Sequence, residues 1–361
     1  MLSRRSFALG LLSLGAVARR GFAAAEICLP SPTSTGERGT GCDDTPALSL
    51  EATKTHVDVK RGKTLLTRYV IDERAAKPYF WPLNVAGSAV TRSWPMEAGK
   101  GEAKDHPHQK SAWFCHGDVV PQGMKFTKHF RDVEGVDFWS ERKGHGKIVC
   151  TSAKVNGTTL ETANEWRTAE GDPILAESRT LTVSSISPVN YLLVLDIDLH
   201  AKFAGVVFAD TKEGSMGVRV RESIRVDKGK GRLVNAEGKV GGGKGLNADK
   251  KGCWGLVSAW CDYSGPVDDA GTIAGIAVLA DPANTIDSAW HARNYGLLAA
   301  NPFGRDKHAE FPARKGNNDP VTLKKGEHLK LRYALYLHTG DEKAGKVAEA
   351  FAGFAEGGKK R

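Results

Sequence analysis

Strict two-residue alternation is the feature that most constrains what this chain can fold into. Between Tyr191 and His200, Leu193, Leu195, Ile197 and Leu199 alternate with Asp196, Asp198 and His200. Near the C-terminus Leu329, Leu331, Tyr333, Leu335 and Leu337 alternate with Lys330, Arg332, Tyr336 and His338. Successive side chains of a strand point to opposite faces, so each run offers one face to a core and the other to water or a cleft. Val218 and Val220 alternate with Arg219 and Arg221 in the same manner. Leu65 to Ile71, Pro78 to Leu83, Ala89 to Thr91 and Ile174 to Ser184 read as further strands between turn residues. Lys147 to Val155 and Thr158 to Asn164 flank Asn156-Gly157, a dipeptide suited to a two-residue hairpin turn. Helical spacing stands out once, where Asp341 offers a cap, Val347, Phe351 and Phe354 fall on one face, and Gly357-Gly358 offers a stop. These patterns predict an all-β fold, a large β-sandwich with one C-terminal helix against a sheet edge.

The first residues carry a different message. Ser3-Arg4-Arg5-Ser6-Phe7-Ala8-Leu9, the apolar run to Ala18 and Ala23-Ala24-Ala25 fit an export signal of the twin-arginine type over residues 1–25. The apolar run is too short to span a bilayer, and no later stretch reaches 18 uninterrupted apolar residues. A flexible lead over 26–48, a single sandwich domain over 49–361 and a periplasmic or secreted location are therefore expected, with the twin-arginine machinery as export partner. The formal charge of +9 falls to +5 once Arg4, Arg5, Arg19 and Arg20 are removed. Basic residues are scattered among acids, aromatics are not interleaved with the Lys/Gly stretch Lys228 to Lys251, and nothing points to nucleic acid. All six cysteines survive removal of the signal and enter an oxidising compartment, where Cys28 with Cys42 and Cys253 with Cys261 are the short-range disulfide candidates.

Chemistry concentrates between Asp105 and Asp118, where His106, His108 and His116 fall within fourteen residues of one another. Pro107 biases His106 toward an extended backbone, so His106 and His108 are expected to face one way. The same period places His116 with Asp118. Three imidazoles with a carboxylate suit either proton transfer near neutral pH or a divalent first-row metal held by His106, His108 and His116. The chain lacks a G-x-S-x-G elbow, a Walker loop, an H-E-x-x-H pair and a dinucleotide fingerprint in a strand-to-helix context.

Further motifs occur in order along the chain: Lys77-Pro78-Tyr79-Phe80-Trp81-Pro82-Leu83, Val90-Thr91-Arg92, Asp105-His106-Pro107-His108, Trp113-Phe114-Cys115-His116-Gly117-Asp118 and Gly135-Val136-Asp137-Phe138-Trp139. Lys212-Glu213-Gly214-Ser215-Met216-Gly217-Val218-Arg219-Val220, Trp260-Cys261-Asp262-Tyr263-Ser264-Gly265-Pro266, Trp290-His291-Ala292-Arg293-Asn294-Tyr295-Gly296-Leu297 and Ala300-Asn301-Pro302-Phe303-Gly304 follow. The set, from roughly Lys77 to His338, resembles the PmoA-like family, also called "methane oxygenase PmoA". That resemblance implies an exported β-sandwich protein, similar to the large sandwiches of sugar mutarotases and lyases and associated with carbohydrate catabolism. The family name also implies a metal-dependent, oxygenase-like alternative. Gln109 and Lys110 stand where the family pattern has a further His and an Arg, and Val119 to Glu134 separate two motifs that usually adjoin.

Together these features predict a periplasmic carbohydrate-active enzyme of lyase, epimerase or hydrolase type, with a non-catalytic glycan-binding module as the alternative. Its substrate would be a small molecule or glycan. His106, His108, His116, Asp118 and Glu213 are the candidate proton-transfer groups, since such chemistry needs an acid, a base and a charge to meet the developing oxyanion. Arg92, Arg219 and Arg221 would supply that charge. Trp81, Trp113, Trp139 and Trp290 would form a flat platform, with His291 and Asn294 beside it.

Overall fold

The computed structural model describes residues 45–99, 101–243 and 252–359; the export signal and the Cys28–Cys42 pair lie outside them. Two large antiparallel sheets face one another. The first runs, in order of hydrogen bonding, through Leu48–Ala52, His56–Arg61, Thr64–Val70, Tyr79–Val85, Ala112–His116, Gly214–Arg219, Leu297–Asn301 and Ala289–Arg293, with Ser88–Ala89 on Tyr79–Val85. The second runs through Arg232–Asn235, Trp260–Pro266, Ile273–Ala280, His328–Thr339, Tyr191–His200, Pro173–Ser185, Thr159–Arg167 and Lys147–Asn156. A small third sheet joins Val321–Leu323, Gly205–Phe208 and Val119–Gln122. The all-β sandwich with one C-terminal helix read from alternation is the architecture observed.

The core lies between the two large sheets. Leu193, Leu195, Ile197 and Leu199 are buried in it together with Leu331, Tyr333, Leu335 and Leu337. Burial of each such side chain contributes about 1.5–3 kcal/mol. Asp196 and Asp198 project from the other face, where they pair with Arg332 at 3.2 Å and His328 at 2.8 Å. Around these pairs the outer face of the second sheet is partly open to solvent. The predicted hairpin is present one residue along: Lys147–Asn156 pairs with Thr159–Arg167, leaving Gly157, at φ +58°, and Thr158 as the turn.

The C-terminal helix, Val347–Lys359, differs from expectation in three ways. Its buried side chains Val347, Ala350 and Phe354 cover Leu192, Val194, Ala277, Leu279, Ala334 and Tyr336, so it lies across the outer face of the second sheet and not along an edge. Asp341 caps the preceding turn, accepting from the backbone of Lys343 and Ala344. The helix also continues through Gly357-Gly358, where a Cβ on Gly358 would fall 2.4 Å from the Asp281 carboxylate. Glycine here permits close approach and does not terminate the helix.

Cys253 and Cys261 are buried free thiols; the Cys253 thiol donates to the Lys239 carbonyl at 3.1 Å, and burial, then the neighbouring Cys253, pushes the Cys261 thiol well up, so the two suggested by their spacing are neighbours in space. Protein isolated under oxidising conditions is expected to yield the two cysteine peptides joined after alkylation without reductant. Recovery of both as alkylated monomers would show that the pair stays reduced.

Candidate functional site on the outer face of the first sheet

Strand pairing decides which residues can share a site. Phe114 meets Trp166 and Tyr333 of the opposite sheet at ring distances of 6.2 and 6.3 Å, so the face of Ala112–His116 that carries Phe114 is the core face. Trp113 points the other way. The register then carries Trp113 to Tyr79 and Gly217, Gly217 to Ala299, and Ala299 to His291, with Arg219, Leu297 and Arg293 in the next row. A Cβ on Gly217 would come within 2.7 Å of the Trp113 indole, so glycine lets that ring lie across the neighbouring strand. Trp139 sits edge-on to Trp113 at 5.1 Å and near-parallel to His291 at 6.2 Å.

The Asp105–Gln109 segment is bound to this face by two buried arginines. Arg92 donates from Nε to the carbonyl of Gln109 at 3.1 Å, from Nη1 to the carbonyl of Asp105 at 3.0 Å, and from Nη2 to the carbonyl of His106. Arg219 donates to Gln109 Oε1 at 2.5 Å and to both carboxylate oxygens of Asp105, at 2.9 and 3.1 Å. Asp105 also accepts from Arg92 Nη1 at 3.0 Å. The expected extended conformation of His106 is not adopted. Its φ is +46°, and the Gln109 amide closes a turn onto its carbonyl at 3.0 Å. Three carbonyls drawn to one guanidinium outweigh the local bias from Pro107.

His106 Nδ1 lies 3.1 Å from Asp105 Oδ2, and the ring stacks on Tyr295 at 5.2 Å with 6° between planes. Tyr295 in turn lies beneath the Arg219 guanidinium at 4.7 Å. His108 stands edge-on to His106 at 5.7 Å and tilted over Trp139 at 6.4 Å. A second charged trio borders it: Glu141 accepts from Lys77 at 2.9 Å and from Lys110 at 2.7 Å, while Lys77 also donates to the Trp139 carbonyl at 3.2 Å.

The electrostatics follow from this packing. Burial alone would raise the Asp105 pKa, but the hydrogen bond from His106 and the charge of Arg219 hold its carboxyl well below the usual range. Burial, then the charges of Lys77 and His106, push His108 down to about 3, so its ring is neutral at physiological pH. His291 is driven well below its ordinary value by burial and by Arg293, whose Nε donates to His291 Nε2 at 3.2 Å. Burial lowers Arg92 to about 10, helped by its neighbour Arg219.

Several predicted site residues lie elsewhere. His116 shares the Phe114 face, buried between Phe208 and Phe303, and its Nε2 meets the Ala209 carbonyl at 2.8 Å. Burial pushes it down to about 4. The sheet itself separates it from His106 and His108, so the three-histidine ligand set for a first-row metal is not assembled. Among the described residues no group of three His, Cys, Asp or Glu side chains could hold a metal ion. Asp118 is also a structural group, accepting from the backbone N–H of Glu134 and Gly135 at 2.8 and 2.7 Å, with burial raising it to about 6. Trp290 is buried on the core side and donates to the Ser258 carbonyl at 3.2 Å. Trp113 faces the site but lies beneath Trp139 and offers no open platform. Arg221 donates to the Ala89 carbonyl at 2.9 Å, and Asn294 accepts from the Gly242 amide at 2.7 Å; both hold loops.

The face does bring together Arg92, His106, His108, Trp139, Arg219 and His291. Glu213 belongs to its margin, paired with Lys212 at 3.2 Å and acting on Tyr295 and Arg293 through its charge. Half-buried Trp81, two residues from Tyr79, is on the same side of its strand. Asp105, Gln109, Lys77, Lys110, Glu141 and Tyr295 complete the arrangement, and the sequence reading assigned none of them a role. The available signal was a charged or polar residue bordering an aromatic run, as Lys77 borders Pro78-Tyr79-Phe80.

No curated protein matches this chain. Among solved structures, distant similarity is found to carbohydrate-active enzymes. An alpha-galactosidase from Lactobacillus brevis matches at 9% identity over 83% of this chain and 40% of that chain, with a TM-score of 0.37. A polysaccharide lyase matches at 9% identity over 82% of this chain and 33% of that one, TM-score 0.31. A GalM/aldose epimerase homologue from C. elegans matches at 10% identity over 82% of this chain and 100% of that one, TM-score 0.32. The chain thus spans well under half the length of the galactosidase and the lyase. A family model described as "Family of unknown function (DUF6807)" matches residues 56–352, a span that contains every residue of the site, and the chain belongs to that family.

Proposed function

We propose that the protein is an exported, carbohydrate-active enzyme of lyase, epimerase or hydrolase type, working on the outer face of the first sheet. The observation that carries this reading is the Asp105–His106 pair. Its carboxylate is held ionised by two buried arginines and sits 3.1 Å from Nδ1 of an imidazole whose side chain is 42% exposed. An Nδ1–H turned to Asp105 leaves Nε2 as the atom that meets a ligand, which is how a carboxylate orients a histidine for proton transfer. Asp105 is itself too acidic to be the base. His108, neutral beside it, is placed to contact the same substrate, and half-buried Tyr79 and Trp81 supply the flat apolar surface that a sugar ring favours. The resemblance of the ordered motifs to PmoA-like proteins supports a role in carbohydrate breakdown after twin-arginine export.

The test is to incubate the protein with a panel of native and oxidised glycosides and follow products by mass spectrometry. His106→Ala is expected to lower kcat by about 10²–10³-fold while leaving the thermal unfolding curve in place. Full turnover in both His106→Ala and His108→Ala would remove the reading. A glycan bound but recovered unchanged from the parent protein would make it a binding module instead.

A further inference from the structure

The two charged trios at the site share an imbalance. Asp105 lies between Arg92 and Arg219, and Glu141 lies between Lys77 and Lys110. Each carboxylate thus faces two cations, and each trio keeps one net positive charge. Three of the four cations are almost wholly shielded from water, with side-chain exposures of 0% for Arg92, 0% for Arg219 and 1% for Lys77. Buried charges are ordinarily matched one to one, because a surplus without a counterion is costly in a weakly polarisable interior. Both trios act on His108, whose ring lies beside His106 and Trp139: the charges of Lys77 and Arg92 each disfavour a proton on it. The supply of hydrogen-bond donors is skewed the same way. Arg219 Nε, Trp113 Nε1 and Trp139 Nε1 are buried N–H groups without an acceptor among the described residues. Lys110 is the cation of the four that reaches the surface, at 20% side-chain exposure, and it stands 5.8 Å over the ring of Tyr79.

We infer that the substrate of this face carries a carboxylate, an acidic sugar of the uronate class, whose negative charge completes the two cation-rich trios from the Lys110 side. The inference rests on the carbohydrate reading of the site given above and adds to it the charge of the ligand. An anion placed there would find a positive potential focused by low-dielectric walls, and its binding would weaken as salt screens that potential. The partly buried carboxylates Asp105 and Glu213 do not oppose this, since Asp105 is neutralised twice over and Glu213 is paired with Lys212.

Calorimetric titration of the full protein with methyl glucuronide, methyl glucoside and benzoate tests the charge and the sugar separately. The uronide is expected to bind at least tenfold more tightly than the glucoside, with the advantage shrinking as sodium chloride rises. Lys110→Gln, checked for an unchanged circular dichroism spectrum and melting curve, is expected to lose most of that preference. Equal binding of uronide and glucoside overturns the inference and leaves the carbohydrate reading standing. Benzoate binding as tightly as the uronide keeps the anion site and defeats the carbohydrate reading. Binding of none of the three overturns both.

Discussion

Replacing Asp262 by alanine is expected to cost about 3–5 kcal/mol of stability, the range for stripping one partner from a fully buried ion pair. His338 Nε2 lies 2.8 Å from Asp262 Oδ1, and neither side chain has any exposure. The pair occupies the outer face of the second sheet under the turn that leads into the C-terminal helix. A Cβ on Gly345 would come within 2.2 Å of His338 Nδ1, and the hydroxyl of Tyr336, whose ring stacks on His338, donates to the Gly345 carbonyl at 2.7 Å. Loss of Asp262 would therefore loosen the helix as well as strand one ring. Burial alone would lower the His338 pKa, but the charge and hydrogen bond of Asp262 overcome it and raise it above the ordinary 6.5. A folded-state pKa raised in this way stabilises the fold fully below the unfolded value and ceases to do so as pH rises through the folded one. Urea unfolding at about pH 6 and about pH 9 should show a falling stability in the parent and no such fall in Asp262→Ala. The double change Asp262→Leu with His338→Leu should recover much of the loss, since an apolar pair leaves no charge unmatched. Equal stability of Asp262→Ala and the parent at the lower pH would contradict the assignment.

Asp105→Ala carries the second large effect, on the site itself. The carboxylate separates two guanidiniums that are wholly buried, and Arg219 already helps depress Arg92, so its removal leaves like charges face to face. Because 37% of the Asp105 side chain reaches solvent, which screens part of the penalty, the expected loss is about 2–3 kcal/mol. Turnover should fall at least as far as in His106→Ala, because the imidazole loses its orienting partner together with the loop geometry. The Asp105 pKa is depressed, so its contribution is complete above the unfolded value of about 3.9 and is lost only as pH falls through the lower folded value. The parent should accordingly show no loss from this pair between neutral pH and mild acid. Chemical denaturation of parent and variant across that interval checks the stability claim, and an unchanged midpoint in Asp105→Ala would refute it.

The legible parts of this protein were those that a short window of residues controls. Leu193 to Leu199 could be read as a strand with a buried side because period two is a property of the backbone. The turn at Gly157 could be read because glycine tolerates the positive φ that a tight hairpin needs. The errors have the opposite character. His106 departs from the extended form favoured by Pro107 because Arg92, thirteen to seventeen residues back, collects the carbonyls of Asp105, His106 and Gln109. His116 and His108 were grouped because they are close in the chain, yet they lie on opposite faces of one sheet. Gly357-Gly358 looks like a helix stop, but the helix runs through it, and the bare backbone at Gly358 lets Asp281 and Arg332 approach closely.

By itself, then, the amino-acid order determined the strand-rich class, the single terminal helix and the concentration of imidazoles near Asp105. Only the tertiary structure decided which of those imidazoles meet and which charges accompany them. Alternation defines two faces for every strand, but which face is covered depends on strands more than two hundred residues away, as Tyr333 covers Phe114. Lys77, Glu141 and Tyr295 joined the site for the same reason: register and sheet packing carried them there, and neither is encoded in any one stretch of chain.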